Sequence, residues 1–185
     1  MPVFVVGGPS NVGKTTAAVA VGRTLGCDVF AVDDLARAST HPALAFERDD
    51  TTWARPPAEL VQLLIDKGAA LWPAVADRIA RARSANESVI IEGEGPSPAS
   101  VASCGPGALR GAFIVELEAA VLDETLRRRS AAYRLLPPDR QASVVAMNVG
   151  YGQWLKRACD DVGVPWLPSQ PWETLTDRPS EAWKV

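Results

Sequence analysis

Apolar residues in this chain follow two rhythms. Residues 3–6, 28–32, 88–92 and 112–117 are short runs rich in β-branched and aromatic side chains, as expected of strands covered on both faces. Between them the spacing turns helical. Ala17, Val21 and Leu25 recur at i, i+4, i+8 over Lys14–Leu25, and Gly26 is placed to end that helix in a left-handed cap. Pro56 and Pro57 open a longer helix with an apolar stripe of Leu60, Leu64, Leu71, Val75 and Ile79. Residues 118–129 and 140–162 are helical in pattern, with a short excursion at 131–139. Residues 164–167 predict a fifth strand, which Pro165 assigns to an edge or a strand start. Residues 39–55 and the proline- and glycine-rich stretch from 93 to 107 read as loops. Strands alternating with helices predict an α/β sheet with right-handed crossovers, whose ligands bind beyond the carboxyl ends of the strands.

Length and composition narrow this picture. The 185 residues suit one domain, 1–185, and a chain of this size buries roughly 70% of its unfolded surface without disulfide or metal staples. A net charge of −3 argues against a nucleic-acid-coating protein. No apolar run reaches the ~18 residues that span a bilayer, and signal-peptide cleavage would remove the glycine-rich segment near the start. Cys27, Cys104 and Cys159 lie far apart, and His41 is the single histidine, so no zinc set is expected. Buried thiols in a reducing cytoplasm fit this pattern. One histidine and no GxSxG turn also argue against a serine-histidine hydrolase, in which His41 would have to be the base.

The strongest chemical signal runs from Gly8 to Thr15. Gly8, Pro9, Ser10, Asn11, Val12, Gly13, Lys14 and Thr15 fit G-x-x-x-x-G-K-[ST] between a predicted strand and a predicted helix. Glycines let the backbone wrap an anion, and the N–H groups meet phosphate oxygens at the positive end of the helix. Lys14 can reach the β- and γ-phosphates, and the Thr15 hydroxyl can hold Mg²⁺ bridging them. These residues, with Thr16, are the candidate nucleotide-binding set, and the expected ligands are ATP and Mg²⁺.

With this motif so near the start of a short chain, the sequence resembles the small P-loop kinases that phosphorylate metabolites, nucleosides or antibiotics. Val32-Asp33-Asp34-Leu35 is similar to the segment after the second strand in chloramphenicol phosphotransferase, uridine kinase and 2-phosphoglycerate kinase. The resemblance implies a three-layer α/β/α P-loop NTPase fold with a five-stranded, mostly parallel sheet and a mobile lid near 127–140. It makes Asp33 the candidate base that orients an acceptor hydroxyl, and with Thr15 a candidate metal ligand. Asp34 is the reserve, and either aspartate could instead cap the following helix. Glu92 ends the third strand in an E-G pair similar to that of uridine and phosphoglycerate kinases, where it could hold a magnesium-bound water or serve as a buried partner of Lys14.

Arg127, Arg128 and Arg129, with Arg134 and Arg140, fall where these kinases carry lid arginines that cover the transferred phosphate. Arg127 and Arg128 are the catalytic candidates. A basic helix end favoured by the helix dipole is the competing reading. Arg48, Trp53 and Arg55 are grouped where the acceptor would bind, although Trp53 also suits a core anchor. Trp172 follows the fifth strand where related kinases cover the adenine, and could equally pack the terminus. The expectation is a cytoplasmic ATP-dependent phosphotransferase, monomeric or homodimeric, acting on a hydroxyl of a small molecule. Nucleoside monophosphate kinases, which commonly carry G-K-G-T, and a regulatory NTPase are the alternatives.

Overall fold

In a computed structural model, residues 2–38, 44, 50–105, 107 and 109–184 are described. Their strands are β1 (Val3–Gly7), β2 (Asp28–Ala31), β3 (Val89–Gly93), β4 (Arg110–Val115) and β5 (Trp166–Pro168). They form one sheet in the order β2-β3-β1-β4-β5, and every pairing is parallel. The expected mostly parallel sheet is therefore wholly parallel.

Alternate residues of the strands feed two cores, which is why the strand sequences read as unbroken apolar runs. Val3, Val5, Val89, Ile91, Phe113 and Val115 face one side. There they meet α3 (Pro57–Ser84), α4 (Pro98–Ser103) and α7 (Pro138–Val162). Phe4, Val6, Ile90, Ala112 and Ile114 face the other, under α1 (Lys14–Leu25) and α8 (Arg178–Trp183). The stripe expected on α3 is buried at all five positions. Burying one such leucine stabilises the fold by roughly 2 kcal/mol or more. A satellite core of Leu122, Leu126, Tyr133 and Val145 joins α5 (Ala119–Arg129), α6 (Ala131–Arg134) and α7.

Several boundaries differ from the sequence reading. β2 stops at Ala31, because Val32 already begins α2 (Val32–Ala38). Asp33 and Asp34 then lie in the first turn of α2, where negative side chains complement the helix dipole. The stretch expected to be a loop up to residue 107 contains α4, which starts at Pro98 and is capped by Ser97 Oγ accepting from Ser100 N. A 3-10 turn, Asp50–Ala54, interrupts the expected polar loop, and His41 and Arg48 lie outside the described residues.

Parallel strands put all their carboxyl ends at one edge. β1 sits centrally, with β3 on one side and β4 on the other, so the chain reverses its direction of growth there. The crevice at such a switch point receives the segments after β1, β2 and β3.

Candidate active site

The segment after β1 is shaped by close packing. Gly8 has φ +146°, and a Cβ there would stand 2.1 Å from the Ile114 carbonyl oxygen, so only glycine can pass β4 at this point. Asn11 and Gly13 also have positive φ, at 63° and 94°. Left-handed residues of this kind bend successive N–H groups into an anion-binding concavity, here at the start of the twelve-residue α1. Lys14 Nζ donates to the Pro9 carbonyl at 2.6 Å, which lays the amine over the loop. A Cβ on Gly13 would meet Leu175 at 2.4 Å and the Trp172 ring at 2.5 Å, so Trp172, packed on the core with Leu175, lies directly against the loop at Gly13.

Glu92 is the penultimate residue of β3, beside Val6 of β1 and Ala31 of β2. Burial pushes its carboxyl above the ordinary value, while Lys14 and a hydrogen bond from Thr15 pull it back, and Asp33 and Asp34 push it up further. Lys14, Thr15, Glu92 and the two aspartates thus interact at one sheet edge. Asp33 lines a cavity of about 230 Å³ together with Ser10, Arg37, Lys67 and Glu94. Asp34 is exposed and ion-paired to Arg37 at 2.5 Å.

Glu94, a weaker candidate than Glu92 from sequence, is the most connected carboxylate of the site. Its Oε1 accepts from Ser10 Oγ at 2.5 Å and its Oε2 from Lys67 Nζ at 3.3 Å. Burial pushes this carboxyl up, but Lys67, then Lys14, and the Ser10 and Lys67 hydrogen bonds together hold it below the ordinary range. Lys67 reaches it because Gly68 lies against the Gly95 carbonyl, where a Cβ would come within 2.5 Å. Its one local signal was position, two residues past the end of the strand pattern. Ser10 N also donates to Asn148 Oδ1 of α7 at 3.1 Å, so the loop is tied to α3 and α7.

A second cavity, about 240 Å³, shares Ser10 and Glu94 with the first and continues along Trp53, Tyr133, Leu136 and Met147. Trp53 is also half-buried against the core, so it belongs both to the core and to this wall. Arg140 is held over its ring, 5.1 Å from the centroid. Arg55 is exposed beside Glu59 at 4.0 Å. A larger cavity of about 590 Å³ lies at the opposite edge of the sheet, near Leu109, Arg110, Val164 and Trp183. Its described lining carries no carboxylate, so the clustered chemistry belongs to the carboxyl edge.

The arginines of the lid segment divide. Arg127 donates to Asp123 at 2.8 Å and to Gln141 Oε1 at 2.7 Å, within a network that includes Tyr133 Oη on Asp123 at 2.6 Å. Burial and the Asp123 carboxylate push the Tyr133 phenol up to about 12. Arg128 is exposed. Arg129 lies over the Trp172 ring, 5.8 Å from its centroid, and is the arginine that packs against the wall of the cradle. The segment leading into Trp172 is tied down by Arg178, whose guanidinium donates to the carbonyls of Pro168, Ser169, Gln170 and Pro171. Ser169 Oγ donates to Glu116, at the end of β4.

No protein-family model matches the chain, and no curated protein matches it in sequence. Solved structures do match. A gluconokinase from Sinorhizobium meliloti 1021 superposes with a TM-score of 0.60 at 16% identity, covering 99% of this chain and 91% of its own. A sugar kinase from Janibacter sp. HTCC2649 gives a TM-score of 0.60 at 20% identity, over 100% and 95%. A shikimate kinase from Bacteroides thetaiotaomicron gives 0.55 at 16%, over 100% and 99%. At these identities the likeness is one of architecture: the chain has the three-layer P-loop fold found in these small-molecule kinases.

Proposed function

We propose that this protein is an ATP-dependent phosphotransferase that moves the γ-phosphoryl group of ATP to a hydroxyl of a small acceptor. One observation carries the reading: Ser10 of the phosphate loop and Asp33 line the same cavity, so donor and acceptor groups have a common space. The resemblance of the motifs and the architecture of the solved kinases support it.

In this reading the loop N–H groups and the Lys14 amine hold the phosphates, while Trp172, braced by Arg178, covers the nucleotide. Asp33 orients the acceptor hydroxyl and takes its proton as the new P–O bond forms. The bond from the γ-phosphorus to the bridging oxygen breaks, and ADP leaves. Arg129 is placed to counter the charge of the transferred group, with Arg128 beside it, whereas Arg127 shapes the lid through Asp123 and Gln141. The oxygen donors of Thr15 and Asp33, with Glu92 beside Thr15, would hold magnesium, which would supply positive charge to offset that of the phosphates. We place the protein in the cytoplasm, where ATP is abundant and the three cysteines, none of them in a disulfide, remain reduced.

The test separates binding from transfer. Lys14→Ala should weaken ATP binding measured by calorimetry and also lower acceptor-dependent ADP release. Asp33→Asn should leave the ATP Kd within about two-fold and lower turnover by roughly 10²–10⁴-fold, the range of a positioned base. Unchanged turnover in Asp33→Asn would remove Asp33 from the chemistry.

A further inference from the structure

The reaction above makes no use of the Lys67–Glu94 pair, although Glu94 stands in the wall common to both cavities and Lys67 lines the first. Both side chains are about nine-tenths buried. Glu94, which accepts from Ser10 Oγ and Lys67 Nζ and is held below its ordinary value by Lys67 and Lys14, places a carboxylate in the lining of both cavities. The cation beside it is already engaged by it. In the first cavity Asp33 adds a second carboxylate, and Arg37 is engaged by Asp34. In the second, Glu94 is the one charged residue among the described lining, facing an apolar wall that includes Trp53, Tyr133, Leu136 and Met147. Arg140 is held over Trp53 and is not part of that lining.

We propose that the Lys67–Glu94 pair selects a neutral acceptor, hydroxylated at one end with an apolar or aromatic body at the other, and rejects acceptors bearing a carboxylate or phosphate. This rests on the phosphotransferase reading. Hydroxyl groups donate to the Glu94 and Asp33 carboxylates, and the apolar body fills the space beside Trp53. An anionic acceptor would instead bring like charge beside the Glu94 and Asp33 carboxylates, a repulsive element that sharpens specificity. Glu94 is thus a specificity residue, distinct from the base.

The experiment measures ADP release by the full chain with Mg-ATP across a panel of paired acceptors: uridine against uridine monophosphate, glucose against gluconate, and aryl glycols against hydroxylated aryl acids. The neutral member of the best pair should be favoured at least about ten-fold in kcat/KM, equivalent to about 1.4 kcal/mol. Glu94→Gln leaves Lys67 without its counter-charge and should lower KM for the anionic member about ten-fold or more. Lys67→Met/Glu94→Gln removes both charges and should leave a neutral preference at least about three-fold smaller than that of the wild type; a preference unchanged from the wild type overturns the role of the pair. If the single variant does not fold, the wild-type ratio and the double variant still decide. ADP release with anionic acceptors at equal or greater efficiency overturns this inference and leaves the phosphotransferase reading intact. A protein that binds ATP yet releases ADP with no member of the panel overturns both.

Discussion

A buried lysine and a buried glutamate are each costly alone and tolerable together. Lys67→Met would leave Glu94 ionised without its nearest cation, so a loss of about 3 kcal/mol is expected in urea unfolding. Lys67→Met/Glu94→Leu, which removes both charges, should recover most of it. The two glutamates at this edge also respond to pH with opposite signs. Glu94 is held below its ordinary value of 4.5 in the fold, so it stabilises above pH 4.5 and that contribution is lost as pH falls through the lowered value. Glu94→Gln should therefore lack part of the acid limb in a pH series of unfolding midpoints. Glu92 is raised above 4.5, so its contribution is complete below pH 4.5 and is lost as pH rises through the raised value. Glu92→Gln should accordingly gain stability at neutral pH, and an equal loss at all pH values would contradict the assignment. The residue types of the phosphate loop were legible in the chain because that motif is contiguous. The Lys67–Glu94 pair was not, since its partners are separated by a helix and a strand and meet only through the Gly68–Gly95 contact.

At the scale of elements, local chemistry and tertiary contact contributed differently. α1 has the bounds expected from sequence because a left-handed glycine flanks it at each end, Gly13 and Gly26, and both signals are local. α4 carried readable signals too, Ser97 followed by Pro98, but the surrounding glycines and prolines obscured them. α2 begins one residue inside the expected strand. Val32 is fully buried against Gly93 from a helical backbone, a contact that β-propensity does not anticipate. α3 shows how one small residue positions a site. Gly68→Ala would force Cβ to within 2.5 Å of the Gly95 oxygen, so α3 must move away, at about 1–3 kcal/mol. The same shift should loosen Lys67 from Glu94, and a double-mutant cycle of Gly68→Ala with Glu94→Gln should show strong coupling. Additive losses would separate the helix contact from the ion pair.

For the whole molecule, the parallel sheet gathers segments distant in sequence at one edge, and α5, α6 and α7 cover them through the Arg127–Asp123–Tyr133 network. Trp172 is joined to that cover by Arg129 and to the phosphate loop through Gly13, so it links the two. Arg178→Ala should free the carbonyls of residues 168–171 and displace Trp172. About a ten-fold rise in the ATP Kd is expected, with acceptor KM little changed, and calorimetry combined with initial rates would detect an effect on the acceptor instead. Among the described residues no helix is long and apolar enough to cross a membrane, in line with the absence of a long apolar run. The sequence by itself determined the alternation of strands and helices, the phosphate loop and the acidic residues just after β2 and late in β3, because periodicity, glycine and contiguous motifs act over a few residues. Only the tertiary structure decided that Arg129 packs on Trp172, that Arg178 ties down residues 168–171, and that Lys67 pairs with Glu94. Those relations arise from strand order and helix packing, which set distances between residues that the chain separates by up to 138 positions, as in the Ser10–Asn148 hydrogen bond.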